Sequence, residues 1–145
     1  MRSTPLLLFN QYNKLMSLKR LLIIDDARDV GRMYQQALRT LYPHVPVTYV
    51  PSAEEALVEV TTFTVDLMIV DIRLPGMSGI DLVRRVRLRQ PDIKVIMITG
   101  MYIDEDLKRQ SREVGAAHLL SKPVSVSDFL AKVQETLGDD ALESE

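Results

Sequence analysis

Four short apolar runs punctuate the chain, and each ends in a polar residue of a particular kind. They are Leu21–Ile24 before Asp25 and Asp26, Leu67–Val70 before Asp71, Val95–Ile98 before Thr99 and Gly100, and Leu119–Leu120 before Ser121, Lys122 and Pro123. The first three are continuous rather than alternating, which predicts strands buried on both faces of a parallel sheet. The fourth is shorter. A fifth stretch, Val45–Val50, alternates in type and contains Pro46, which cannot donate to a ladder, so it predicts an edge strand.

Helical spacing fills the gaps between the runs. Residues 28–41 carry Val30, Met33, Tyr34, Ala37, Leu38 and Leu41 in helical register. Ser52 with Glu55 forms a capping-box pattern, and Ser78 with Asp81 repeats it. After Ser78, Ile80, Val83 and Val86 face inward while Arg84, Arg85, Arg87 and Arg89 face mostly outward. Asp104, Glu105 and Asp106 place negative charge in the first turn of a fourth helix, where the dipole favours it. Ser125 and Asp128 open the last helix, with Phe129, Leu130, Val133 and Leu137 inward and Gly138 as its stop. Strands and helices therefore alternate, and that alternation predicts an α/β fold with a parallel sheet between helical layers, built by right-handed crossovers.

The organisation that follows is an N-terminal extension over 1–18, one domain over 19–138, and an acidic tail over 139–145. A length of 145 residues suits a single core without staples. The absence of cysteine excludes disulfides, thiolate-bound zinc, iron–sulfur clusters and thiol catalysis. Two histidines, His44 and His118, are too few and too far apart to build a metal site. A net charge of −2 argues against non-specific binding to nucleic acid or to an acidic membrane. The Arg cluster of residues 84–89 is accordingly read as a solvated helix face. No apolar run approaches the ~20 residues that cross a bilayer, and a cytoplasmic location is expected.

Taken singly, the polar strand ends have ordinary roles. Asp26 can cap the following helix, Asp71 can be a loop carboxylate, Thr99-Gly100 a turn, and Lys122 a solvated lysine before a proline. As a set they mean more. All sit at the C-terminal ends of different parallel strands, the edge at which open α/β sheets build their sites. Three carboxylates within ~4–6 Å repel by several kcal/mol per pair at an effective dielectric of about 20. An all-oxygen set of that kind suits Mg²⁺, which keeps positions for phosphate oxygens. Lys122 adds a point charge and Thr99 a hydroxyl, both suited to an oxyanion. The combination describes phosphoryl transfer to a carboxylate nucleophile.

These residues resemble the receiver domain of two-component response regulators over 19–137. The matching motifs are Leu-Leu-Ile-Ile-Asp-Asp at 21–26, Leu-Met-Ile-Val-Asp at 67–71, Pro-Gly-Met-Ser-Gly at 75–79, Val-Ile-Met-Ile-Thr-Gly at 95–100, Gly-Ala-Ala at 115–117 and Ser-Lys-Pro at 121–123. The resemblance implies a flavodoxin-like five-stranded sheet of order 2-1-3-4-5. It implies Asp71 as phosphoacceptor, with Mg²⁺ held by Asp25, Asp26, Asp71 and the backbone carbonyl of Arg73. Thr99 and Lys122 would contact the phosphoryl group, and the Lys122–Pro123 bond would be cis. The implied donor is a sensor histidine kinase or a histidine phosphotransfer protein, and the implied output is phosphorylation-dependent protein binding. Such a chain assists its own phosphorylation and dephosphorylation and is not an enzyme.

Two positions depart from the family pattern. Leu119 stands where the family usually carries Tyr or Phe, and Val124 replaces the usual aromatic after Lys-Pro. The family's aromatic readout is therefore in doubt, whereas phosphate uptake is not. Other readings stay open at this level. One is a fragment of a longer regulator, although the eight residues after Leu137 are too few for an output domain. Another is a haloacid-dehalogenase-type phosphatase, which would need an acid where Arg73 stands. The last is a receiver-like module without chemistry, which the full set of polar residues argues against.

Overall fold

A computed structural model describes residues 17–138 together with Leu6, Leu8 and Phe9. The acidic tail over 139–145, and all of the 1–18 extension except Leu6, Leu8, Phe9, Ser17 and Leu18, lie outside the described residues. Over residues 17–138, five strands alternate with five helices: β1 (Leu21–Ile24), α1 (Arg28–Leu41), β2 (Val47–Val50), α2 (Ala53–Thr62), β3 (Leu67–Asp71), α3 (Gly79–Arg89), β4 (Lys94–Thr99), α4 (Glu105–Glu113), β5 (His118–Ser121) and α5 (Val126–Leu137). The sheet order is β2-β1-β3-β4-β5 and all pairs are parallel. The predicted architecture and strand order are both observed.

Period-two alternation divides each central strand between two cores. Leu22, Ile24, Met68, Val70, Val95 and Met97 pack against α2, α3 and α4. Leu21, Ile23, Leu67, Ile69, Ile96 and Ile98 face α1 and α5, where Tyr34 stacks on Phe129 with ring centroids 4.2 Å apart. Because both faces are covered, the three central strands are apolar between their ends, with polar residues only at the termini (Asp71 of β3, Lys94 and Thr99 of β4). Pro46 lies just before β2, and its carbonyl accepts from Leu21 N at 2.9 Å, so the proline costs the edge strand no ladder bond.

Caps set the helix starts. The hydroxyls of Ser52, Ser78 and Ser125 accept from the N–H groups of Glu55, Asp81 and Asp128, and Asp104 accepts from Leu107 N. Gly138 ends α5 in the left-handed conformation, φ 86°. Three local expectations need correction. Asp26 is not a cap, because α1 begins after Ala27 without a side-chain cap. Met33 is exposed despite its apolar character. Arg87 turns inward: its guanidinium donates to the carbonyls of Val114, Pro91, Ile93 and Gly115 at 2.6–3.0 Å.

Candidate functional site

Parallel pairing brings all the strand ends of interest to one edge of the sheet. Asp25 follows β1, Asp71 ends β3, Thr99 ends β4, and Lys122 follows β5. Thr99 is paired in register with Ser121, so Lys122 lies one residue beyond it, and its N–H donates to the Thr99 carbonyl at 2.8 Å. The Lys122–Pro123 bond is cis, as the resemblance implies.

Carboxylate oxygens of Asp25, Asp26 and Asp71 lie within 4.8 Å of one another. Asp25 and Asp71 are buried, whereas Asp26 is exposed. Buried carboxylates need partners, and these have them. Lys122 Nζ lies 2.9 Å from both Asp25 Oδ2 and Asp71 Oδ2. The other oxygens accept backbone N–H groups, Asp25 Oδ1 from Ala27 at 2.9 Å and Asp71 Oδ1 from Arg73 at 3.0 Å. Thr99 is fully buried and its hydroxyl accepts from Met101 N at 3.0 Å, which shapes the loop after β4. Its hydrogen bond goes to that loop rather than to a carboxylate.

Charge does not balance at this edge. Three carboxylates against one ammonium leave two formal negative charges. Burial pushes the Asp25 carboxyl above its ordinary range, outweighing the hydrogen bonds from Lys122 and Ala27 that favour its ionised form. At Lys122 burial pulls the other way, yet the hydrogen bonds and charges of Asp25 and Asp71 win and hold the ammonium above its usual value. Both partners of one ion pair are thus raised, because desolvation dominates at the more buried Asp25 and attraction dominates at Lys122. The surplus negative charge, presented only by oxygen donors, fits a hard divalent cation such as Mg²⁺.

A cleft of about 330 Å³ opens above the carboxylates, lined by Asp26, Asp71, Arg73, Gly100, Met101 and Lys122. Gly79 lets α3 start close beneath it: a Cβ there would sit 2.4 Å from the Asp71 carbonyl oxygen. A separate hollow of about 680 Å³ lies around Phe63, Asp66 and Pro91 and holds none of the site residues.

Two contributors to this edge carry no signal in the sequence pattern. Tyr49, on edge strand β2, donates its hydroxyl to the Asp25 carbonyl at 2.6 Å. Its ring lies against Gly31 of α1. They are eighteen residues apart in the chain, and neither motif nor period links them.

Comparison with known proteins places the chain. Residues 21–134 match the response regulator receiver domain family. The response regulator receiver protein CpdR of Brucella abortus is 31% identical over 120 residues, covering 83% of this chain and 98% of that protein. The crystal structure of a CheY-like receiver domain protein from Methanospirillum hungatei superposes with a TM-score of 0.76 at 32% identity, covering 88% of this chain and 99% of that one. A response regulator from Burkholderia pseudomallei, solved with a phosphorylated aspartic acid, calcium ion and citrate, gives 0.71 at 26% identity and covers 87% and 72% of the two chains. Other curated relatives are longer regulatory proteins, of whose length the match covers 21 to 54%. The chain belongs to the response regulator receiver family, whose function is phosphorylation on an aspartate. That membership decides between the receiver and phosphatase readings. Among the described residues no helix is long and apolar enough to cross a membrane.

Proposed function

We propose that Asp71 is the phosphoacceptor, that Asp25, Asp26, Asp71 and the Arg73 carbonyl hold Mg²⁺, and that the phosphorylated form signals by binding another protein. The observation that carries this reading is Lys122 Nζ at 2.9 Å from both Asp25 and Asp71, inside a carboxylate cluster that stays negative. The donor is a sensor histidine kinase or a histidine phosphotransfer protein, and the setting is cytoplasmic. No direct binding to nucleic acid or membrane is invoked. The domain over 19–138 does this work, flanked by the 1–18 extension and the 139–145 tail.

When bound, Mg²⁺ offsets the charge of an incoming phosphoryl group. The protein's own residues do the rest. A carboxylate oxygen of Asp71 bonds to phosphorus as the donor's nitrogen–phosphorus bond breaks, its electron pair returning to the imidazole. The Arg73 N–H holds Asp71 Oδ1 and so orients the carboxylate. Lys122 pairs with a phosphoryl oxygen and carries that contact to the end of β5, and the Thr99 hydroxyl, one strand away, supplies a hydrogen bond. The response regulator from Burkholderia, solved with a phosphorylated aspartic acid and a calcium ion, supports an acyl phosphate on this fold.

Incubation with acetyl phosphate and Mg²⁺ is expected to add the mass of one phosphoryl group to the intact protein. Asp71→Asn, or EDTA, should abolish the gain. An equal mass gain in Asp71→Asn, or indifference to EDTA, would refute the assignment.

A further inference from the structure

We infer that Tyr49 is a positioning residue for the Asp25–Asp26 pair, setting the site's affinity for its divalent cation from the edge strand; this rests on reading that pair as metal ligands. The carbonyl that Tyr49 holds belongs to the peptide joining Asp25 to Asp26. A hydrogen bond of 2.6 Å on that oxygen therefore fixes the plane from which both side chains depart. The same turn is also held by Asp25 N–H on Val50 O at 3.3 Å, by the Ala27 N–H on Asp25 Oδ1, and by Lys122 Nζ on Asp25 Oδ2. Asp26 itself is exposed, so its direction depends on the backbone beneath it.

Gly31 is the second, independent observation. Glycine weakens a helix interior relative to alanine, so a glycine one turn into α1 needs a packing reason. The reason is the Tyr49 ring. A Cβ at Gly31 would lie 2.1, 2.5 and 2.8 Å from three atoms of that ring. No real Cβ can sit so close, so a larger residue at position 31 must shift the ring or the helix against it, and either shift disturbs the hydroxyl's bond. Outer partners that orient ligating groups typically govern metal affinity by about 10–100-fold.

Mg²⁺ titration of the full chain, followed by the amide resonances of Ala27 and Arg73, tests this directly. Tyr49→Phe, which keeps the ring, is expected to weaken Mg²⁺ binding about tenfold. Phosphate uptake from acetyl phosphate should slow at limiting Mg²⁺ and return to the wild-type rate at saturation. Gly31→Ala should reproduce that loss, and the double variant should be no worse than either single one. Wild-type Mg²⁺ affinity in Tyr49→Phe would overturn the inference, as would a rate defect that saturating Mg²⁺ does not restore. If Asp26→Asn leaves wild-type Mg²⁺ binding intact, the metal site itself is misassigned and the inference falls with it.

Discussion

At Asp25, burial and attraction pull in opposite directions, and burial wins. The folded state therefore binds a proton at Asp25 more tightly than the unfolded chain does. The cost of the ionised group is fully felt above its raised folded value and disappears below its ordinary value of 3.8. Asp25→Asn is accordingly expected to stabilise the protein at pH 7 in EDTA. A gain of ~1 kcal/mol would raise Tm by about 3 °C in a domain of this size. The gain should shrink as the pH is lowered toward 4, which thermal melts at the two pH values would read. A lower Tm for the variant at pH 7 would mean that the Lys122 contact outweighs desolvation. Lys122, held above its usual value, stays charged throughout that range. The residue types at the strand ends were legible because each ends an apolar run. The Tyr49–Gly31 contact was not, because it depends on how α1 leans on β2, which no local pattern encodes.

The elements were legible wherever period and cap agreed. Serines at 52, 78 and 125 start helices as their spacing predicts, and the apolar runs became the central strands. On α3 the pattern runs out. Arg84, Arg85, Arg87 and Arg89 look alike in sequence, yet only Arg87 leaves the solvated face. Its four carbonyl partners tie the end of α3 to the turns before β4 and β5. Losing it strands several acceptors at once. Arg87→Met should therefore cost about 2–3 kcal/mol, seen as a lower urea midpoint with unchanged slope. Arg85→Met, on the exposed face, should stay within about 0.5 kcal/mol of wild type. Equal midpoints for the two variants would show that the clamp contributes nothing.

Across the whole molecule, the sheet carries the site at one edge and packs helices against both faces. Leu119 lies on β5, half-buried and packed toward the layer of α2, α3 and α4, where the family's usual aromatic would stand. The smaller side chain moves less apolar area, worth at most ~1–2 kcal/mol. Beryllofluoride should thus change hydrogen exchange in α4 and β5 of Leu119→Ala much as it does in wild type. Loss of that change in the variant would make Leu119 the switch. The position of the phosphoryl group remains the deciding observation. Borohydride reduces an aspartyl phosphate to homoserine, so reduction after phosphorylation, followed by peptide sequencing in the mass spectrometer, reads the modified residue directly. Homoserine at position 71 alone is the expected result. Homoserine at position 25 or 26, or at no position, would contradict the assignment of Asp71 as the phosphoacceptor.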